Sequence, residues 1–542
     1  MANNSAWDVV VLGSGIAGLA SALAAHEKGL RPILIEKAPF LGGVTTNSYG
    51  LIWVGMNHLA QEAGYADDRD EVIAYMHYIG GGRLSEEKML AYVDRAPAAL
   101  KFFQDCGIPF RVVRGVTDHY YGKAPGSRAE GRSLEVELIS AYDLGDWRER
   151  VLTPDDVPIF VTAEEQVSWG GINRFSDWDK DVVRERKARD MRGKGVGLVC
   201  HFLKALRDRG VPVVTGRTVA RLDYDGERVA GVTMDSGERI GARLGVVLAT
   251  GGYYANQQMA DELEGLPGLV QDASSLVPES MTGDAILFGA ELGAVVHRVD
   301  NSLRVMLAYT IPLDEPGKLP LCVHAGIVEL CSPHTLLVNR AGQRFADETF
   351  FQGIVPELRR FDAMTHDHPN LPAYLIFDSQ YLKRFSFANL PVGSPVPRAV
   401  PRAETLPDLA RQLGIDGAGL AASVARFNGF AQTGIDLDFH RGENKWKLAS
   451  SKNPKGNTSL GTLEEPPFYG VKLHPTSSNC AGLLTDGIGR VIHQRRHPIP
   501  GLYATGLAAA HTEYGVGYQA GMSLASAMTF GLTAAEDMAA SR

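Results

Sequence analysis

Asp8-Val-Val-Val-Leu12 runs straight into Gly13-Ser-Gly15-Ile-Ala17-Gly18, and an alanine-rich stretch from Leu19 to Lys28 follows. The first piece is a β-branched run of the kind buried in a parallel sheet, the second a tight glycine turn, the third a helix. Gly29 ends that helix, and Pro32-Ile-Leu-Ile35 supplies a second strand that ends on Glu36. Strand, glycine turn, helix, strand and acid in this order make a dinucleotide-binding unit. The glycines permit a tight turn and close approach of the backbone to a pyrophosphate, the helix N-terminus faces its charge, and the acid takes ribose hydroxyls. A lone G-x-G-x-x-G would be weak evidence, because glycine turns also serve packing. Here the flanking strands and an acid 18 residues beyond Gly18 decide for the dinucleotide.

Further segments choose among dinucleotides. Leu41-Gly42-Gly43-Val44-Thr45 opens a loop to Gly50 that offers backbone amides and small side chains to a flavin. Arg217 to Leu222 and Val229 to Met234 form a hairpin around Asp225-Gly226, and Val246-Val-Leu-Ala-Thr250-Gly251-Gly252 is a buried return strand ending in a glycine turn. That return strand is typical of FAD proteins rather than simple NAD dehydrogenases. At the far end Pro500-Gly-Leu-Tyr-Ala-Thr-Gly506 closes another strand, and Ala520 to Glu536 reads as a helix whose N-terminus points at the flavin pyrimidine edge. The reading is an α/β chain: a Rossmann-type FAD-binding domain split into residues 1–288 and 472–542. An inserted α+β cap, 289–471, carries many prolines and a helix from Ala410 to Phe430. The charged stretch from about 140 to 195 reads as a solvated excursion or a subunit contact. Gly193-Lys-Gly195-Val-Gly197 follows no strand and reads as a helix start rather than a second nucleotide site.

Composition bounds the rest. The 542 residues carry 54 basic and 63 acidic side chains, a formal charge of −9, with 45% hydrophobic and 22% charged residues. Those values exclude a disordered or fibrous chain, and the negative balance argues against a nucleic-acid partner. Cys106, Cys200, Cys322, Cys331 and Cys480 are scattered without a C-x-x-C, so disulfide frameworks, zinc ribbons, cysteine-ligated clusters and c-type haem lack their ligand spacing; no metal is expected. The first strand begins too early for a signal peptide, and no apolar run reaches the roughly 18 residues of a spanning helix. A cytoplasmic, reduced chain without a transmembrane segment is the expectation.

Together these segments resemble the fumarate reductase and 3-ketosteroid dehydrogenase superfamily of FAD proteins. The markers are the N-terminal fingerprint, Gly42-Gly43, Thr282-Gly-Asp284, Asn339-Arg-Ala-Gly-Gln-Arg-Phe345 with Asp347-Glu348, Gly482-Leu-Leu-Thr-Asp486, Gly501 to Gly506 and Ala527-Met-Thr-Phe-Gly531. The resemblance implies noncovalent FAD held by Gly13, Gly15, Ala17, Gly18, Glu36, Lys37, Gly42, Gly43, Val44, Thr45, Val219, Thr250, Gly251, Asp284, Gly506, Ser523 and Leu524; the 41–50 loop has no histidine for a covalent bond. The fumarate branch has an arginine where this chain has Glu348-Thr-Phe-Phe-Gln352, and paired histidines where it has Ser477-Ser-Asn-Cys480. A dianion without its cations is poorly held. His474, a little upstream, is a packing or a functional histidine.

The 3-ketosteroid Δ1-dehydrogenase branch fits better. Thr117-Asp-His-Tyr120-Tyr121-Gly-Lys-Ala-Pro-Gly126 followed by Gly131-Arg-Ser133 is similar to that branch's catalytic tyrosine segment, and Gly521 matches its carbonyl-binding glycine. The resemblance implies trans removal of hydrogen from the carbons α and β to a ring ketone. A hydroxyl and a backbone N–H polarise the carbonyl, a tyrosine with a lowered pKa takes the α-proton, and hydride passes to flavin N5. The substrate is then a small-molecule cyclic ketone, a 3-ketosteroid or a smaller cyclohexanone, and the electron acceptor is open. This chain departs from the branch in two places. Gly517-Tyr518 shifts the second tyrosine by one step, and Phe350-Phe351-Gln352 stands where a cap tyrosine is expected. Tyr120 and Tyr121 compete for the remaining hydroxyl, with Tyr518 as its partner. Trp53, Phe350, Phe351 and Tyr514 are expected to line the pocket, whereas His119 and Arg114 near its mouth read as a solvated pair or as partners for a carboxylate. The rival readings are an ene-reductase on the same scaffold and a flavin-bearing electron-transfer subunit.

Overall fold

The computed structural model describes residues 7–154, 157–171, 177–269, 278–300, 302–303, 305–313, 321–324, 329–444, 457–476 and 479–542. Ser477 and Ser478 lie outside them. Two sheets organise the chain. In the first, the strands run in the order Arg490–Ile492, Pro498–Ala504, Arg239–Leu248, Trp7–Leu12, Pro32–Ile35, Val213–Val214. All neighbours are parallel except the Arg490–Ile492 edge. Val9 and Val11 belong to one core cluster, Val10 and Leu12 to another on the opposite face, the period-2 alternation of a sheet covered on both sides. Val219–Tyr224 and Val229–Met234 form the expected hairpin, which continues antiparallel onto the first half of Arg239–Leu248.

Register brings three glycine turns together. Leu12 pairs with Leu248 and Leu248 with Ala504, so the turns at Gly13, Thr250-Gly251 and Gly506 all emerge at the carboxyl ends of adjacent parallel strands. The chain direction across the sheet reverses about Trp7–Leu12, the switch point at which open α/β sheets bind ligands.

The second sheet is antiparallel, in the order Leu321–His324, Met306–Ile311, Phe468–Thr476, Ala373–Asp378, Thr335–Val338, with Arg402–Ala403 against Phe468–Thr476. Leu337 and Leu375 face one cluster, Leu336 and Ile376 the other. The expected boundary at 471/472 falls inside its central strand, and we propose that the chain returns to the FAD half after Thr476. The single helix expected over 410–430 is two, Leu406–Leu413 and Gly417–Thr433, because Gly414 at φ +71° caps the first in a left-handed turn. The family marker around Asn339 to Glu348 ties this cap together. Arg344 donates to Glu348 and Asp436, both at 2.8 Å, and the fully buried Arg441 donates to the carbonyls of Leu330, Ser332 and Thr335.

A small antiparallel sheet, Ile52–Trp53 with Ser133–Val136 and Phe110–Val112, carries the loop containing His119 and Tyr120. In the charged excursion the helix Lys180–Ala188 buries no residue. The helix Lys194–Asp208 starts at Gly193 as read, although a short strand, Met191–Arg192, paired with Ile139–Ser140, does precede it; Gly195 lies against the Thr45 carbonyl, where a Cβ would sit 1.9 Å away. Among the described residues no helix is long and apolar enough to cross a membrane.

Candidate active site

The three fingerprint glycines do three different things. A Cβ on Gly18 would lie 1.8 Å from the Gly13 carbonyl oxygen, so only glycine lets the helix Ile16–Glu27 start this close to the strand. Gly13, at φ +100°, would drive a Cβ into the Ala249 carbonyl oxygen at 2.3 Å. At Gly15, by contrast, the nearest atom to such a Cβ is Thr45 Oγ1 at 3.5 Å, so the open side of the turn faces the Gly42-Gly43 loop. Thr45 Oγ1 accepts from the Ile16 N–H at 3.0 Å, which fixes that loop over the helix N-terminus. The first-turn amides of Ala17 and Gly18 have no intrahelical acceptor, a standing site for a pyrophosphate. Thr250 Oγ1, one strand over, is buried without a hydrogen-bond partner.

Opposite, Gly506 packs over Ala17, 2.8 Å from a Cβ on the glycine to the Ala17 Cβ, and the helix Met522–Ala540 lies alongside Ile16–Glu27, with Gly531 against Ser21. Its first-turn amides at Ser523 and Leu524 are likewise without intrahelical acceptors. An open glycine turn, two helix N-termini and an orphaned threonine hydroxyl fit FAD along the sheet edge.

Other cofactor candidates are engaged with one another. Glu36 accepts from Ser14 N and Oγ at 2.8 and 2.7 Å and from Ala38 N at 2.8 Å. Three of its roughly four lone-pair sites therefore hold the turn itself. Lys37 is ion-paired with Asp284 at 3.0 Å and donates to Thr282 at 2.7 Å; this bridge ties the second strand to the Asp284–Glu291 helix. Val219 begins a hairpin strand beside Arg217, whose N–H bonds the Glu36 carbonyl. Val44 is partly exposed in the 3-10 turn Gly43–Asn47.

A cluster of rings joins the loop after Phe110–Val112, the cap helix Phe351–Arg359 and the segment before Gly521. Tyr120 meets Phe350 edge-on at 5.3 Å between centroids and Tyr78 at 5.8 Å. His119 lies 5.3 Å from Tyr518, and Tyr518 lies 5.5 Å from Phe351. Gln352 Nε2 donates to His119 Nδ1 at 2.7 Å, and Gln519 Oε1 accepts from the His119 N–H at 2.8 Å and from the Tyr75 hydroxyl at 2.6 Å.

The loop is pinned by Asp118, which accepts from Trp53 Nε1 at 2.7 Å, Arg128 N at 2.8 Å and Arg132 Nη1 at 3.0 Å, while Arg132 also pairs with Asp67 at 2.7 Å. Removing one partner of such a buried pair costs about 3–5 kcal/mol. Burial drives the Tyr120 phenol well above its ordinary pKa and holds His119 down to about 3, neutral across any working range. The tyrosine with a lowered pKa that the resemblance implies is thus corrected in direction: burial raises the Tyr120 phenol, whose hydroxyl has no hydrogen-bond partner among the described residues.

Of the expected pocket, Phe350 and Phe351 stand in this cluster. Trp53 does not: its ring is fully buried, stacked on Tyr75 at 5.6 Å, and its backbone nitrogen lies 2.7 Å from where a Cβ on Gly521 (φ +93°) would fall. Tyr514 is also interior, stacked on His511 with its hydroxyl on Ser523 Oγ at 2.9 Å. Tyr121 is partly exposed, one step along from the ring that points inward. His119, read as solvated, is 3% exposed, while Arg114 stays at the surface. Gln352, which bonds His119, is not among the expected site residues; the sequence marks it only as standing in the neighbourhood of an expected hydroxyl.

Comparison with known proteins places the chain in a family. Residues 8–524 match the FAD binding domain family. The chain is 34% identical, over 99% of its length and 93% of the relative's, to 4-oxocyclohexanecarboxylate 2-dehydrogenase of Sinomonas cyclohexanicum. It is 32% identical, over 98% of its length and 97% of the relative's, to 3-oxosteroid 1-dehydrogenase of Mycolicibacterium smegmatis. It superposes on the crystal structure of 3-ketosteroid delta1-dehydrogenase from Sterolibacterium denitrificans in complex with 1,4-androstadiene-3,17-dione with a TM-score of 0.88, 28% identity, and coverage of 99% and 100% of the two chains. The chain belongs to the FAD binding domain family and is an FAD-dependent dehydrogenase acting on CH–CH groups.

Proposed function

We propose that the protein desaturates a cyclic ketone at the bond between the carbons α and β to the carbonyl. The observation that carries this reading is the buried Tyr120 hydroxyl, without a partner, in the ring cluster that borders the start of the Met522–Ala540 helix. Relatives that act on an oxocyclohexane and on 3-oxosteroids support a ring ketone as the substrate class.

The division of labour follows from position. Gly521, the residue before the helix, has its backbone N–H beside the positive helix end, where it polarises a ketone oxygen. Tyr518, three residues earlier and packed on His119 and Phe351, provides the second donor. With its oxygen so held, the ketone has an acidified α-carbon, and the Tyr120 oxygen takes that proton. A phenol raised by burial is rarely ionised at neutral pH but is a strong base once it is, so turnover climbs with pH. FAD, when bound, supplies the oxidant that takes the β-hydrogen with its electron pair, leaving the ring enone. Phe350 and Phe351 exclude water from the reacting carbons. An electron acceptor outside this chain then restores the cofactor.

The test is to incubate the yellow protein with cyclohexanones and 3-ketosteroids and an artificial electron acceptor, and to identify products. A conjugated ring enone is expected. Failure with every ketone, together with oxidation of the dithionite-reduced protein by enones or enoates, would establish a reductase instead.

A further inference from the structure

Among the described residues, two buried polar atoms in the ring cluster lack hydrogen-bond partners. One is the Tyr120 hydroxyl, used above. The other is Oε1 of Gln352, on a side chain 1% exposed at the second position of the cap helix Phe351–Arg359. An uncompensated buried acceptor is costly, and such groups in folded proteins are nearly always satisfied by something. Gln352 also cannot turn away freely. Its Nε2 is committed to His119 Nδ1 at 2.7 Å, and His119 is itself held by the Gln519 side chain through its backbone N–H. With Nδ1 accepting, the amide nitrogen faces the histidine and the carbonyl oxygen faces the other way.

Resting on the desaturase reading, we infer that Gln352 is a substrate-contacting residue whose Oε1 accepts a hydrogen bond from a hydroxyl on the ring ketone, with His119 as its positioning residue. The Tyr120 hydroxyl and Gln352 Oε1 belong to one cluster, through Tyr120 on Phe350 and the adjoining His119 on Phe351, and the inference sets one small ring against both. The substrate class is therefore a cyclohexanone bearing a hydroxyl away from the carbonyl. An acceptor-only carboxylate placed against Oε1 would be repelled. A hydrocarbon ring system at the same place would leave the amide oxygen unpaired, and sites built to bond a hydroxyl discriminate strongly against analogues without one.

The pairing with His119 takes the neutral tautomer that carries its proton on Nε2 and leaves Nδ1 as the acceptor; burial keeps the ring neutral.

The experiment uses the FAD-loaded full chain and an artificial electron acceptor, with cyclohexanone, 4-hydroxycyclohexanone and 4-oxocyclohexanecarboxylate as probes. The wild type is expected to favour the hydroxyl compound over cyclohexanone about 10-fold or more in kcat/KM, chiefly through KM. Gln352→Leu is expected to bring that ratio to within about 2-fold. His119→Ala is expected to lower it as well, and His119→Asn, whose amide can still bond Gln352, to restore part of it. The flavin spectrum and melting temperature identify variants that fail to fold, for which Gln352→Met serves in their place. An unchanged ratio in Gln352→Leu, or a wild-type preference for the carboxylate, overturns the inference. If no ketone reduces the flavin, the desaturase reading fails on its own. The Gln352 inference is then decided by the dissociation constant of 4-hydroxycyclohexanone, read from perturbation of the flavin band: weaker binding to Gln352→Leu supports it, and equal binding overturns it.

Discussion

The cofactor cradle and the ring cluster meet at Gly521 but are built by opposite means. The cradle is backbone: turns at the ends of three adjacent strands, two helix N-termini, and glycines placed where a Cβ would collide or obstruct. The cluster is side chain: Tyr120, Phe350, Gln352 and Tyr518 come from three segments far apart in sequence and are held by contacts among themselves and by the Asp118–Arg132 pair. A backbone site fails when a single atom is added. A side-chain site fails when one is removed, and the chain otherwise keeps its fold.

The comparison breaks most sharply at Tyr120. Tyr120→Phe removes one oxygen and is expected to lower kcat/KM by about 100- to 10,000-fold with FAD content and melting temperature unchanged. In the wild type the rate climbs with pH through and beyond the ordinary phenol range, because burial raises this pKa, and the slope disappears in the variant. Steady-state kinetics against pH checks both.

The cap provides a second removal test. Glu329 is buried, bonded to the Tyr309 hydroxyl at 2.7 Å, and burial pushes its carboxyl up to about 7 from an ordinary value of 4.5. The native state therefore holds this proton more tightly than the unfolded chain. The associated stability is full below pH 4.5, falls as pH rises, and is lost above about 7, to a total of about 3 kcal/mol. Glu329→Gln is expected to remove Glu329's share of the decline between pH 5 and 8 in denaturant titrations, leaving that of Asp347, whose carboxyl burial raises to about 6; parallel curves for the two proteins would contradict it.

Addition separates the glycines. Gly18→Ala forces a methyl onto the Gly13 carbonyl and is expected to cost about 1–3 kcal/mol and to release FAD. Gly15→Ala has room in the protein itself, so the apoprotein should melt as the wild type does while FAD binds more weakly. Melting curves of the apoproteins with FAD titrations resolve the pair. The smallest effect belongs to Tyr121→Phe, less than about 3-fold in kcat/KM, within the usual range of a surface change; a loss matching that of Tyr120→Phe would transfer the base to the neighbouring residue.

This contrast also explains what could be read from the sequence. Gly13, Gly15 and Gly18 stand at fixed offsets inside one strand–helix unit, so their geometry was legible, as was the return through Thr250 and Gly506. The texture of residues 289–471 reads as an insertion, but it does not say that Phe468–Thr476 is the central strand of the antiparallel sheet, because antiparallel pairing joins residues far apart in sequence. Trp53 and Tyr514 looked like pocket aromatics, and aromatic identity does not say which way a ring points; here one is claimed by Asp118 and the other by Ser523. His119 looked solvated beside Arg114, and only the packing of Gln352 and Gln519 around it shows that it is interior.

The most direct test of the account is anaerobic mixing of the yellow protein with a ring ketone, for the wild type and Tyr120→Phe side by side, following the visible flavin band. The account predicts rapid bleaching in the wild type and bleaching slowed at least about 100-fold in the variant, with FAD fully bound in both. Equal bleaching in the two proteins, or none in either, would contradict it.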